Sequence, residues 1–297
     1  MNHIVFVHGR SQQHKDAAAL KAEWISAWRS GLERCGLALP LSAAQIRFPY
    51  YGDTLDQLAQ GRSPAEAAAV IIKGISEGDA EARAFMQDVL LQIQRERGIT
   101  DADIIALTGA NVLDKSVLNW AWVQRLLETI DRRVPHASGA AIALGTNDVY
   151  QYLDNDQISA TIEHGVRAAL RPGVPTVVVA HSLGTVVAYK LLRREGEQQG
   201  WQVPLLVTLG SPLAVTALRK KLAPNRHPAC VTRWFNAFDK RDVVALFALD
   251  KQHFPLDPPI TNFDGVDNPT PNRHGISGYL DDPVVATTIY QAVLSSP

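Results

Sequence analysis

The sequence predicts an α/β fold with a doubly wound, mostly parallel sheet, in a single domain over residues 1–297. Two apolar runs carry this prediction. Residues 3–7 and 176–180 are short, rich in β-branched side chains and followed by turn or helix signals, as buried parallel strands are. Strand and helix patterns alternate along much of the remaining chain, which favours βαβ units.

The other elements are predicted in order around these two strands. A helix over 15–35 places Trp24 and Trp28 four residues apart, and therefore on one face. The remaining predicted elements are strands at 45–48, 140–144, 205–209 and 231–236, helices at 158–170 and 185–194, and a terminal helix from Pro283.

Ser182 lies in a sharp turn between a predicted strand and a predicted helix, within Ala180-His-Ser-Leu-Gly184. The small residues Ala180 and Gly184 let the helix start close to the end of the strand. This is the arrangement of a nucleophile elbow, in which a strained turn holds a serine oxygen above the sheet, placed to attack a carbonyl. The alternative is an ordinary loop in which Ser182 caps the helix.

The first predicted strand ends in His8-Gly9-Arg10. In a doubly wound sheet, the loop that leaves the carboxyl end of a strand faces the ligand crevice. We therefore expect the backbone N–H groups of Arg10 and Leu183 to form an oxyanion hole. The alternative is a glycine that only turns the chain.

An aspartate and a histidine downstream of Ser182 complete a candidate triad. Asp242 is the preferred acid, because it precedes two valines that can anchor it against the core, and Asp239 is the second choice. His274 is the candidate base, because it lies in a loop rich in Pro, Gly and Asn before the final helical segment. His181 is expected to point away from Ser182.

The chain resembles an α/β-hydrolase of the lipase/esterase type, over about the first fifty residues and from about residue 140 onward. The motifs of the resemblance are Val7-His-Gly-Arg10, Ala180-His-Ser-Leu-Gly184, Val207-Thr-Leu-Gly-Ser-Pro-Leu213, Asn236-Ala-Phe-Asp-Lys-Arg-Asp-Val-Val244 and His274-Gly-Ile-Ser-Gly-Tyr279. The order nucleophile, acid, histidine is also that of the family. Two positions depart from its pattern: Ala180 replaces the first glycine of the elbow, and Arg10 stands where many relatives carry an apolar residue.

The resemblance implies hydrolysis of a small-molecule or lipid acyl ester through an acyl-enzyme on Ser182, with no cofactor and no metal. A thioesterase, an amidase or a phospholipase would use the same residues. A catalytically inactive hydrolase-fold protein that binds a ligand is a further alternative.

Residues 52–135 interrupt the alternation of strands and helices, and a crossover needs only about a dozen residues. This stretch is therefore an insertion, with predicted helices at 64–75, 79–97 and 116–133. It is expected to form a lid or cap over the site, with apolar surface from Trp120, Trp122 and Leu126; alternatively these side chains only bury the insertion's own small core. Residues 145–148 are expected to line the rim of the site.

Composition excludes several classes of protein. With a net charge of −1, the chain lacks the excess of positive charge that favours nucleic-acid binding. Cys35 and Cys230 cannot build a disulfide framework and suit free thiols in a reducing compartment. No apolar run has membrane-spanning length, and no signal-peptide pattern precedes the first strand. We therefore expect a cytoplasmic protein without a transmembrane segment, and the oligomeric state stays open.

Overall fold

A computed structural model of the chain describes residues 3–9, 16–51, 80–108 and 120–295. Its strands are β1 (His3–Val7), β2 (Ile46–Arg47), β3 (Thr176–His181), β4 (Val203–Leu209), β5 (Val231–Ala237) and β6 (Thr261–Phe263). They form one parallel sheet of six strands in the order β2-β1-β3-β4-β5-β6.

The described helices flank this sheet on both faces. They are α1 (Ala17–Glu33), α2 (Ala80–Glu96), α3 (Asp101–Thr108), α4 (Trp120–Arg133), α5 (Gly139–Asp154), α6 (Asp156–Ala169), α7 (Leu183–Glu195), α8 (Thr216–Lys221), α9 (Ile276–Leu280) and α10 (Pro283–Ser295). The predicted doubly wound α/β class is confirmed.

Alternating side chains of β1 enter two separate hydrophobic clusters, as the period of two in a strand requires. Ile4 and Phe6 pack with α1, α9 and α10, where Trp24 is fully buried. Val5 and Val7 pack on the opposite face with α2 and α4 to α8. The described part of the predicted insertion therefore shares the core of the second face.

The position of the site follows from the strand order. After β1 the chain forms β2 on one side of it and later returns to form β3 on the other side. The carboxyl ends of β1 and β3 therefore flank a topological switch point, where open α/β sheets bind ligands. Gly9 follows β1 and Ser182 follows β3, so both residues lie at this point.

The strand predicted at 140–144 is wrong, because these residues begin α5. Ser138 caps that helix by accepting a hydrogen bond from the Ala141 amide at 3.2 Å. A short apolar run does not distinguish a buried helix from a buried strand. Sequence reasoning also missed β6, which has only three residues. The helix predicted at 64–75 lies outside the described residues.

None of the helices in the described ranges combines the length and the hydropathy needed to cross a bilayer.

Candidate active site

Ser182 stands between the last residue of β3 and the first residue of α7, and its backbone is strained. Its φ of 54° and ψ of −128° fall in a region that residues other than glycine rarely occupy. Its amide donates to the carbonyl of Leu209 at 3.1 Å, which fixes the turn against the end of β4. The serine side chain makes no capping hydrogen bond to α7. Ser182 is the N-cap residue of α7, but its side chain does not cap the helix by a hydrogen bond, and the tight strand-to-helix turn is the one that the nucleophile-elbow prediction requires.

Two glycines let this segment, which we call the nucleophile turn (residues 180–184), pack closely on the end of β1. A methyl group on Gly184 would lie 2.2 Å from the carbonyl oxygen of Val7, and one on Gly9 would lie 2.6 Å from the β-carbon of Ser182. Neither distance leaves room for a side chain. Ala180, in contrast, is fully buried in the sheet and the core accommodates its methyl group.

The three predicted triad side chains form one hydrogen-bonded chain. Asp242 lies in the acid loop (residues 238–245, after β5), and His274 lies in the histidine loop (residues 264–275, after β6). The Ser182 Oγ atom is 2.9 Å from His274 Nε2, and His274 Nδ1 is 2.7 Å from Asp242 Oδ2. Because a carboxylate only accepts, Nδ1 donates to Asp242, and in a neutral imidazole Nε2 then accepts from the serine hydroxyl. The predicted proximity is confirmed, and the catalytic roles stay predictions.

The Asp242 side chain is fully buried, and both of its carboxylate oxygens have further donors. The Tyr279 hydroxyl of α9 donates to Oδ2 at 2.6 Å, and the Val244 amide donates to Oδ1 at 2.8 Å. Burial raises the pKa of Tyr279, and the neighbouring Asp242 carboxylate raises it further, so the phenol keeps its proton at neutral pH. These donors replace the water that the carboxylate lost on burial.

Asp239, the second choice for the acid, has different partners. It accepts two hydrogen bonds from the Arg241 guanidinium, at 3.1 and 3.0 Å, and one from the Asn268 amide at 2.9 Å. Burial alone would raise the pKa of Asp239, but these hydrogen bonds bring it below its ordinary value. The Asn268 side chain in turn donates to the Gly275 carbonyl at 2.8 Å. Asp239 therefore joins the acid loop to the histidine loop.

His181 holds the backbone of the histidine loop. Its Nε2 donates to the His274 carbonyl at 2.8 Å, and the two imidazole rings lie 4.7 Å apart between centroids. Burial lowers the pKa of His181 well below its usual value, and the charge of His274 lowers it further. His181 is therefore a neutral donor to the loop, which agrees with the expectation that it is not the base for Ser182.

Gly210, directly after β4, lies under the imidazole of His274. Its φ is +56°, and a β-carbon at this position would lie 3.1 Å from His274 Nδ1 and from a ring carbon of Tyr279. Both the backbone conformation and the lack of space require glycine here.

The loop after β1 is organised by His8. Its Nδ1 donates to the Gly9 carbonyl at 2.8 Å, and its Nε2 accepts from the Tyr51 amide at 3.2 Å. Burial lowers the pKa of His8 to about 4. Arg10 lies outside the described residues, so its place in an oxyanion hole stays a prediction. Leu183 is the first residue of α7, and amides of a first helical turn have no acceptor within the helix.

A cavity of about 180 Å³ lies beside Ser182 and His274. The apolar part of its lining comes mainly from α2, α5 and the acid loop and includes Val89, Ile93, Leu144, Val149, Val243 and Leu246. Gly145, Thr146 and Asp148 also line it, so the expectation for this segment is confirmed, although the residues belong to a helix. The described part of the insertion therefore reaches the carboxyl edge of the sheet, and its function as a lid stays a prediction.

Sequence reasoning assigned no role to Tyr279, Gly210 or Arg97, which surround the hydrogen-bonded chain. The Arg97 guanidinium donates to the backbone carbonyls of Lys240 and Asp242. Gly210 and Tyr279 lie within motifs of the resemblance, whereas no local motif marks Arg97; each of the three matters through partners on other elements. Among the described residues, no group of three His, Cys, Asp or Glu side chains is arranged to hold a metal ion.

No protein-family model, curated protein or solved structure matches this chain. The likeness to lipase/esterase-type α/β-hydrolases therefore remains a resemblance, carried by the sequence motifs.

Proposed function

We propose that this protein is a serine hydrolase that cleaves carboxylic esters through an acyl-enzyme on Ser182. The observation that carries the proposal is the hydrogen-bonded chain from Ser182 through His274 to the buried Asp242. The strained turn at Ser182 supports it, because backbone strain at the nucleophile is a feature of such sites.

In the first half of the reaction, His274 accepts the hydroxyl proton as Ser182 Oγ bonds to the ester carbonyl carbon. The carbonyl electrons move onto oxygen, and the resulting oxyanion accepts hydrogen bonds from the amides of Leu183 and Arg10. One such donor typically stabilises a transition state by about 3 kcal/mol. Asp242 stabilises the imidazolium that forms.

The tetrahedral intermediate then collapses, and His274 gives its proton to the departing alkoxide. A water molecule attacks the acyl-enzyme by the same sequence: His274 removes its proton, the carboxylic acid leaves, and the proton returns to Ser182. Atoms and charge balance over the cycle without a cofactor.

The cavity favours a substrate with an apolar acyl or alcohol group. Its lining is mainly apolar and includes Val89 and Ile93 of α2 and Val243 of the acid loop, so binding a hydrocarbon group there removes apolar surface from water and is favourable. We further propose a cytoplasmic location, because Cys35 and Cys230 are both free thiols.

The test is labelling with a fluorophosphonate, which phosphonylates an activated serine. We expect label on the wild-type protein and on Ser26→Ala, a control on an exposed face of α1, and none on Ser182→Ala. Turnover on a panel of acyl esters, thioesters, amides and phospholipids then identifies the bond that is cleaved. A folded wild-type protein that neither takes the label nor hydrolyses any member of the panel would refute the enzyme and favour a binding protein.

A further inference from the structure

The C-terminal end of α2 is fixed by a glycine in a left-handed conformation. Gly98 has a φ of +63°, its amide donates to the Arg95 carbonyl at 3.2 Å, and the amide of the buried Ile99 donates to the Gln94 carbonyl at 3.0 Å. This pair of hydrogen bonds is a Schellman motif, which ends a helix at a defined residue. Arg97 is therefore the C-cap residue, directly after the last residue of α2, and its position is fixed.

Arg97 contacts the turn that carries Asp242. Its two terminal nitrogens donate to the backbone carbonyls of Lys240, at 2.9 Å, and of Asp242, at 2.7 Å. Within the same turn the Asp242 amide donates to the Asp239 carbonyl at 2.9 Å. A planar guanidinium that spans two carbonyls fixes both their spacing and their orientation, which a single-point donor does not do.

The charge of Arg97 also acts on this turn. Burial lowers the pKa of Arg97, while the carboxylates of Asp242 and Asp239 oppose that effect, so both acids lie within electrostatic range of the guanidinium. Arg97 is half-buried, and charges are less screened there than at an open surface.

We propose that Arg97 is a positioning residue for the triad, through which the helical insertion holds the acid loop and reduces the negative potential that Asp242 exerts on His274. This inference rests on the proposed function, since it assigns a role within the same reaction. It gives the insertion a part in the chemistry in addition to lining the cavity.

The direction of the expected pH effect follows from the charge that is removed. Replacing Arg97 with a neutral residue leaves the Asp242 carboxylate less compensated, which favours the imidazolium form of His274. The rise of kcat/KM with pH should then move to higher pH. We expect a shift of about 0.5 pH unit, because solvent partly screens the charge of Arg97 from His274. Among the described residues, other charged or titratable groups lie near the pair, its loops or Arg97: Glu96, His181, Asp239, Lys240, Arg241, Asp264, Asp267, Arg273, Tyr279 and, lining the cavity, His136 and Asp148. All of them are unchanged in the variants.

The experiment compares Arg97→Gln, Arg97→Lys and the control Arg95→Gln, an exposed residue in the last turn of α2. For Arg97→Gln we expect kcat to fall about tenfold to a hundredfold with little change in KM, because a displacement of order 1 Å is costly. Arg97→Lys keeps the charge, so it should retain the wild-type pH profile and recover part of kcat. Arg95→Gln should match the wild type.

A second measurement does not depend on activity. The proton between His274 Nδ1 and Asp242 should give a low-field proton resonance in the wild type, and this signal should broaden or disappear in Arg97→Gln. An unchanged resonance together with a wild-type pH profile, even if the variant melts earlier, would overturn the proposal and leave Arg97 a purely structural residue. A wild-type protein that shows the resonance but no hydrolysis would instead refute the proposed function, and the resonance of Arg97→Gln would still decide whether Arg97 holds the pair.

Discussion

The nucleophile turn and the two loops beyond it meet in one hydrogen-bonded chain, but they are held in different ways. The turn depends on sterics within a few residues of Ser182 and on the space left by Gly9 and Gly184. The acid and histidine loops depend on polar side chains from other elements, such as Arg97 and Tyr279.

The nucleophile turn and the two loops should therefore respond differently to substitution. A steric constraint made by backbone atoms cannot relax, so a single added methyl group is expected to disrupt it. A polar network distributes its effect over several partners and depends on charge, so it should weaken in steps and respond to pH.

The largest effect is a loss of activity, which we expect on replacing Asp242, the proposed acid of the triad. Asp242→Asn can present an amide N–H to His274 and so stabilise the wrong tautomer, which in triads of this kind lowers kcat by about 10⁴-fold. Steady-state hydrolysis by the purified variant, together with its rate of fluorophosphonate labelling, measures this loss.

Asp239→Asn is the matched control for that variant, three residues earlier in the same loop. It weakens the hydrogen bonds to Arg241 and Asn268. The Asp242 carboxylate, which accepts from the His274 imidazole, stays in place. We expect lower stability, with activity within about tenfold of the wild type at temperatures well below unfolding. If this variant lost as much activity as Asp242→Asn while folded, the roles assigned to the two carboxylates would be reversed.

The next largest effect is a loss of stability, which we expect at Gly184, near the start of α7. Gly184→Ala places a methyl group 2.2 Å from the Val7 carbonyl oxygen and 2.6 Å from that of His8, and both are backbone atoms. We expect a loss of about 3 kcal/mol in the free energy of unfolding. In Gly165→Ala, on α6, the new methyl group meets only Pro49 at 3.5 Å. Urea denaturation should show no loss for this control, and equal stability of the two variants would contradict the steric argument.

A smaller effect, confined to activity, is expected at the end of β1. Gly9→Ala forces its methyl group against the β-carbon of Ser182, at 2.6 Å, and 3.2 Å from Oγ. Because the nucleophile must shift to make room, we expect kcat/KM to fall about a hundredfold. Rates of ester hydrolysis test this, with the circular-dichroism melting curve as the check on folding. Wild-type kinetics would mean that Ser182 tolerates the displacement.

The smallest effect is a pH dependence on the nucleophile side of the site. His8 has a pKa lowered by burial from 6.5 to about 4. Between these values the unfolded chain binds a proton that the folded protein does not, so stability falls as the pH is lowered through this range. From pH 7 to pH 5 the loss from His8 should be about 2 kcal/mol. Urea titrations at the two pH values, with the His8 ring followed by NMR, measure it; a ring that titrates near 6.5 would contradict the burial argument.

Much of the fold and of the candidate site was predictable, because the signals were local. The β-branched run before Ser182, the small residues around it and the order of Ser182, Asp242 and His274 can all be read along the chain. The error at 140–144 arose because five apolar residues have no period that separates strand from helix, and the cap at Ser138 was the signal that was overlooked.

The choice between Asp242 and Asp239 shows where local reasoning ends. Both are acidic residues after the same strand, and both are almost fully buried. They differ only in their partners, which are His274 and Tyr279 for one and Arg241 and Asn268 for the other. Those contacts join residues up to 37 positions apart, so no pattern in the loop itself distinguishes the two carboxylates.

The class of fold and the tight turn at Ser182 follow from the amino-acid sequence alone, because hydrophobic period and glycine placement act over a few neighbouring residues. Three features emerge only on folding: which carboxylate faces the imidazole, which residues line the cavity, and the contact of Arg97 with the acid loop. These features are contacts between side chains and backbone atoms far apart in the chain, and their distances are set only once the sheet has aligned the ends of its strands.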